Sequence, residues 1–293
     1  MGIYYSVEDL ADAATRENRK ISQIVLTDQA RELEKPEEEL YQTMLESFRV
    51  MQRSVEDGID PDMRSVSGLS GGGAYKMKQA VDKGRSLCGK VFGYALVRAL
   101  AVSESNACMG KIVAAPTAGS CGIIPAALLT FIEDRELPER DVVMSLFTAS
   151  AFGMVIANNA SISGAQGGCQ AECGAASAMA AAALTELAGG TPKMAGHACA
   201  IALKNILGLV CDPVAGLVEI PCIKRNAMGV ANAFVGAELA LAGIESAIPA
   251  DEVIIAMKRI GDAMPRSLKE TSEGGLAATP TGKRLKKEIF GDT

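Results

Sequence analysis

Tryptophan is absent from this 293-residue chain, aromatic residues make up 4% of it, and histidine occurs once. A β-sandwich draws on more Val, Ile, Thr and aromatic side chains, so their scarcity argues against one. Lysines and arginines form no concentrated patch and the net charge is −6, which excludes a nucleic-acid-binding footprint. The N-terminal Met1-Gly2-Ile3-Tyr4-Tyr5-Ser6 lacks the charged and apolar regions of a signal peptide. Gly2 followed by Ser6 matches a myristoylation pattern only loosely, and no lipid anchor is expected. A cytoplasmic chain follows, and its eight cysteines read as intracellular thiols or metal ligands rather than disulfides. Charge is also missing from residues 142–171 and 112–132. A membrane span needs about 18 apolar residues. Here Asn158, Asn159, Ser161, Ser163 and Gln166 interrupt the first run and Pro116 and Pro125 the second, so buried core helices are expected and no membrane association.

What is abundant is small: 30 glycines, many alanines, and 48% apolar residues overall. Small side chains let helices pack closely, and a chain of this length can bury a sizeable core. The expected fold is all-α, a large multi-helix domain with Gly-rich loops at helix starts. Ser6 reads as an N-cap ahead of Glu8 and Asp9. Pro36 stands at a plausible first helical position before three glutamates. Leu40, Met44, Phe48, Met51 and Val55 then repeat every three or four residues until Gly58. Further helices are expected near 87–107, 122–134, 138–159, 170–188, 196–209, 226–246 and 250–263. In the last, Val253, Met257, Ile260 and Met264 form one stripe, and the Ala-rich 174–183 is helical by propensity. Residues 1–60 hold 14 acids and 7 bases, which makes them a solvated helical surface or a partner-docking face. The Gly/Ser loop 64–75 suggests a division into an N-terminal helical segment, 1–63, packing on the body, and a catalytic helical domain, 64–293.

Three Gly-rich loops lead into helices: Ser67 to Ala74, Ala115 to Gly122, and Ser161 to Gly168. Exposed N–H groups at a helix start bind anions, and glycine lets a small ligand approach the backbone. Each loop can also be a plain tight turn between packed helices. None carries the P-loop or dinucleotide fingerprint.

Cys169, Cys211 and Cys222 are each flanked by Gly or Pro, at expected turns or helix ends. Three thiolates converging from separate loops can hold an iron–sulfur cluster and leave one iron open. An open iron is a Lewis acid, which suits an enzyme better than an electron carrier. By spacing alone the three remain open to a core role, and they form neither a zinc pattern nor a ferredoxin run. Cys169 and Cys173 can share one helix face. Cys88, Cys108 and Cys199 sit in apolar or Ala-rich helical contexts and read as small buried hydrophobes; Cys121 lies in the second Gly loop. His197, the single histidine, is a weak candidate for a general base.

At Ser70-Gly71-Gly72, Pro116 to Ser120, Ser163 to Cys169, Cys211-Asp212-Pro213, Val218 through Asn226, and Lys269 to Ala277, the sequence resembles the α chain of the iron–sulfur-dependent L-serine dehydratases. The resemblance spans nearly the whole chain. It implies a lyase of amino-acid metabolism that converts L-serine to pyruvate and ammonia. It implies an oxygen-sensitive 4Fe–4S cluster on Cys169, Cys211 and Cys222, with no pyridoxal phosphate. The C-terminal cysteine tail of some single-chain relatives has no counterpart in Glu288 to Thr293, and the family's Ser-His-Thr segment, which supplies the base, is missing. A separate β chain is therefore the implied partner and source of the base. Thr117, Gly119 and Ser120, with Ser70 and Gly71, are the expected substrate-binding residues, and Lys111 or Arg225 could add positive charge. A lyase for threonine or another small hydroxy acid, and a non-enzymatic helical interaction subunit, are the competing expectations.

Overall fold

A computed structural model describes residues 4–291; the Gly2 pattern and the last two residues lie outside them. The described residues form thirteen α-helices and no strand, an all-α fold. These are α1 (Val7–Glu17), α2 (Ile21–Glu32), α3 (Glu37–Asp57), α4 (Gly73–Asp82), α5 (Gly89–Ala107), α6 (Ile123–Arg135), α7 (Glu139–Asn159), the single turn α8 (Gly164–Gly167), α9 (Ala175–Leu187), α10 (Pro192–Lys204), α11 (Cys222–Leu241), α12 (Ala250–Ala263) and α13 (Pro280–Phe290). A π-helical turn, Gln170–Gly174, leads into α9.

The helix α9 is the axis of the fold. Every residue from Ala175 to Glu186 is buried, packed by α7, α10, α11 and α6. A helix apolar on all sides belongs at the centre of a core, and alanine lets four neighbours approach it at once. The same economy governs α11. A Cβ at Gly229 would lie 2.4 Å from Ile123 Cδ1, and one at Gly236 would lie 2.9 Å from the Ala198 carbonyl. Close backbone approach replaces aromatic filling, and Phe48, Phe147 and Phe152 are the only fully buried aromatics among the described residues. The helix α7 is long and apolar enough to cross a membrane by composition, but two thirds of its apolar window (67%) is buried in this core.

Local signals set most boundaries. The Ser6 hydroxyl accepts from Asp9 N–H at 2.9 Å. Thr191 and Thr279 cap α10 and α13 in the same way, each followed by a proline at the first helical position. Pro36 differs from expectation: its extended ψ of 141° places it at the N-cap of α3, one residue outside the helix. The expected helix near 226–246 starts earlier, at Cys222, and that near 196–209 starts at Pro192. The helices α2 and α13 escaped the sequence patterns, whereas α4 is the helix into which the first Gly loop was expected to lead. The core is continuous from Tyr4 to Met257, so segment 1–63 and the body share it, with α2 against α7, α3 against α5 and α1 against α10.

Candidate active site

Cys169 follows Gly168, whose φ of +76° turns the third Gly loop into the π-helical turn. Gln170, the next residue, is buried and fully used. Its Nε2 donates to the Gly167 and Met257 carbonyls (2.9 and 3.0 Å), and its Oε1 accepts from Gly208 N–H (2.9 Å). One side chain thereby fixes the Cys169 turn to α12 and to the segment that delivers Cys211.

Cys211 pairs with the strap 266–278. Its N–H donates to Leu268 and its carbonyl accepts from Glu270 N–H, at 2.9 and 2.7 Å. Asp212 beside it accepts from Arg225 Nη2 and from Leu276 N–H, both at 2.8 Å. Arg225 Nη1 donates to the Val210 carbonyl at 2.7 Å. Since Arg225 lies in the first turn of α11, three residues after Cys222, this buried ion pair couples the Cys211 and Cys222 segments. Asn226 adds the second Gly loop. It accepts from Gly122 N–H (2.9 Å) and donates to the carbonyls of Gly119 (2.8 Å) and Cys222 (2.9 Å).

The first Gly loop arrives through Glu219, three residues before Cys222, which accepts from the hydroxyls of Ser70 and of Ser67, the latter at 2.7 Å. Its helix-start N–H groups, Gly73 and Ala74, are taken by the buried Glu104 carboxylate at 2.9 and 3.0 Å. All three Gly loops and all three cysteine segments are therefore tied into one polar network.

Glu172 lies inside it. Its Oε2 is 3.9 Å from Cys211 Sγ. A Cβ at Gly119 would stand 3.3 Å from both carboxylate oxygens, and one at Gly164 would be 2.7 Å from Oε2 and 2.9 Å from Cys211 Sγ. Burial raises the Glu172 pKa, opposed by hydrogen bonds from Thr117 and the Gly164 N–H. Thr117 and Ser120 hydroxyls stand 3.2 Å apart.

The thiols are buried and sense one another. Cys222 is pushed up to about 12, by burial first and then by Cys169 and Glu172, with Arg225 opposing. Cys211 is raised by burial, Glu172 and Cys169. Cys169 is lowered, chiefly by its hydrogen bond with the Cys173 thiol, 3.4 Å away, with Arg225 assisting against burial. Among the described residues no three His, Cys, Asp or Glu side chains converge closely enough to grip one metal ion. Two cavities flank the loops. An apolar one of about 330 Å³ is lined by Met44, Met154, Met179 and residues 113–116. A more polar one of about 390 Å³ is lined by Ser161, Gln166, Lys258 and Lys269. The three cysteines and Glu172 line neither, so chemistry and not cavity size locates the site.

Residues 16–277 match the family described as serine dehydratase alpha chain. The chain belongs to that family. It is 50% identical over 289 residues to the probable L-serine dehydratase, alpha chain, of Bacillus subtilis, covering 99% of this chain and 96% of that one. It is 42% identical over 285 residues to the L-serine dehydratase, alpha chain, of Peptoniphilus asaccharolyticus, covering 97% and 98%. Against the L-serine dehydratase of Streptomyces coelicolor it is 41% identical over 251 residues, which are 82% of this chain but 54% of that protein.

For this serine dehydratase α chain the single histidine stands apart. His197 Nδ1 accepts from Ser246 N–H at 3.2 Å and its Nε2 is 4.0 Å from Glu245; neither partner belongs to a cysteine segment or Gly loop. Arg225 is committed to Asp212 and Val210, and Lys111 is exposed. Cys199 and Cys121 are buried as small hydrophobes, whereas Cys88 is exposed and Cys108 partly so, because both sit at the ends of α5 and not on its packed face. Sequence reasoning missed Glu172, Gln170, Glu219 and Asp212. A signal existed for the first: Glu172 is the charge that ends the uncharged run 142–171, between two cysteines.

Proposed function

We propose that the chain is the catalytic half of a two-chain L-serine dehydratase, converting L-serine to pyruvate and ammonia by loss of the hydroxyl and the Cα proton. The observation that carries this reading is the meeting of Cys169, Cys211 and Cys222, buried and from three separate segments, inside one network with all three Gly loops. The donor set fits a 4Fe–4S cluster. Cys211 and Cys222 are buried thiols close enough to Cys169 to be raised by it, and cysteine thiolates are the donors such clusters take. Bound there, the cluster supplies an iron with an open position, a Lewis acid that makes hydroxide a feasible leaving group.

The chain's own residues orient the substrate. Thr117, Gly119 and Ser120 offer hydroxyl and N–H donors for the serine carboxylate, with Ser70 and Gly71 bordering the site through Glu219. Burial of the thiols keeps bulk water away from the reacting end. No histidine of this chain reaches the site, so the base that removes the Cα proton comes from a β chain. The unmatched remainder of the longer Streptomyces relative supports a second component. A reducing cytoplasm suits eight free thiols, and no pyridoxal phosphate is involved.

The test is iron and acid-labile sulfide content, with the visible spectrum, on chain purified without oxygen. About four of each per chain and a brown chromophore are expected. Cys169→Ser, Cys211→Ser and Cys222→Ser should each abolish the cluster while Cys199→Ser keeps it, and serine turnover should require the β chain. A folded, colourless chain that resists reconstitution with its partner present would sink the reading in favour of an interaction subunit.

A further inference from the structure

Six of the eight thiols are buried, and the proposed function uses three of them. Cys121 and Cys199 pack in the apolar core. Cys173 differs from both. Its sulfur stands 3.4 Å from Cys169 Sγ, and theirs is the one pair of thiols in hydrogen-bond contact among the described residues. The two are 1% and 2% exposed. Gly168 turns the chain at Cys169, and the π-helical turn Gln170–Gly174 then carries Cys173 back beside it. Small reagents have a way in. Gly167 and Ala171, two residues to either side of Cys169, line the polar cavity of about 390 Å³. There is slack beyond the pair as well, since a Cβ at Gly174 would meet nothing closer than 3.8 Å.

We propose that Cys169 and Cys173 are a redox pair, which a hydroperoxide closes into a disulfide whenever Cys169 holds no iron. The Cys169 sulfur attacks the O–O bond of hydrogen peroxide. That bond breaks, one oxygen stays on sulfur as a sulfenic acid, and the other leaves as water. The Cys173 thiol then attacks the same sulfur, the S–S bond forms, and the sulfenic oxygen leaves as a second water. Two thiols are oxidised by two electrons in all, and one peroxide is reduced to two waters. Closure takes the sulfurs from 3.4 Å apart to about 2 Å. Residues four apart on a helix hold their Cβ atoms about 5–6 Å apart, wider than the roughly 4 Å of a relaxed disulfide. The bond is therefore strained, and strained disulfides are the readily reduced ones. A sulfenic acid with no thiol beside it goes on to sulfinic acid, which thiols do not reverse. Cys173 thus keeps Cys169 recoverable. The serine dehydratase reading enters only in what the bond interrupts, which is iron binding at Cys169.

The experiment takes the full chain, stripped of iron by a chelator, exposes it to hydrogen peroxide, and blocks remaining thiols with N-ethylmaleimide in denaturant. No Lys or Arg lies between Asp141 and Pro192, so trypsin releases both thiols in one peptide, 141–193, which holds no other cysteine. In the wild type this peptide should be two hydrogens lighter and unblocked, and dithiothreitol should restore two blockable thiols. Cys199, in the next peptide, should stay reduced. Cys173→Ser should instead gain two oxygens on Cys169 that dithiothreitol does not remove, at least about fivefold more than the wild type. Cys173→Ala serves if the Ser variant does not fold. A wild-type peptide that blocks at both thiols, a disulfide from Cys169 to Cys211 or Cys222, or equal sulfinic acid in the wild type and both variants would overturn the assignment. A wild type that closes the disulfide but, with its β chain, neither takes up iron nor turns over serine defeats the parent reading and leaves the pair standing. One that does both while its thiols stay apart under peroxide defeats this inference alone.

Discussion

At Cys88 the thiol is open to solvent, whereas at Cys199 and Cys121 it is sealed in the core. The residue type is the same and the environments are opposite, because reactivity follows the thiolate and its access. Burial pushes Cys121 up to about 12 and raises Cys199 further. Iodoacetamide at about pH 8, below the ordinary thiol pKa, should therefore label Cys88 first and Cys108 more slowly. Cys121 and Cys199 should stay unlabelled until denaturant is added, as peptide mass spectrometry would report. Labelling of Cys199 at the rate of Cys88 in folded protein would contradict its burial.

At the scale of elements, the first turn of α11 does the most organising. Arg225 and Asn226 are adjacent in sequence and point to different partners, one to the Cys211 segment and one to the second Gly loop. The Asp212–Arg225 pair is buried, with side-chain exposures of 4% and 14%. Removing one member leaves an uncompensated charge, which costs about 3–5 kcal/mol, whereas replacing both by apolar residues costs far less. Arg225→Ala should thus lower the urea midpoint more than the double variant Asp212→Leu/Arg225→Met does. A single variant milder than the double one would show that the pair is not what joins the two segments.

At the scale of the whole molecule, buried thiols make stability depend on alkaline pH. Cys121 titrates at the ordinary thiol value of 9.0 when unfolded and is pushed up to about 12 when folded. A pKa raised by folding means the stabilisation is complete below pH 9 and is lost as pH climbs toward 12, because the unfolded chain ionises first. That upward displacement is worth about 4 kcal/mol at most. Cys199 and Cys211 shift in the same direction. The urea midpoint of metal-free chain should fall steadily above pH 9, and Cys121→Ala should flatten that slope. A midpoint indifferent to pH from 8 to 11 would contradict the burial of these thiols.

Much of this was legible in the chain itself. Few aromatics and many small residues implied closely packed helices, and the stripe of α3, the Ser6 cap and the Ala-rich α9 were readable because caps and periodicity act within a turn or two. The helix α2 escaped because its first two turns are buried on nearly every side, with Gln23 alone exposed, and so show no stripe. The glycines and prolines around Cys169, Cys211 and Cys222 marked turns without saying what those turns faced. That was decided only by tertiary packing. Glu172 meets Cys211 across 39 residues, Asn226 meets Gly122 across 104, and Ser67 meets Glu219 across 152. Local backbone preference reaches no further than its neighbouring turns, whereas a buried polar group must find its partner wherever the core brings one.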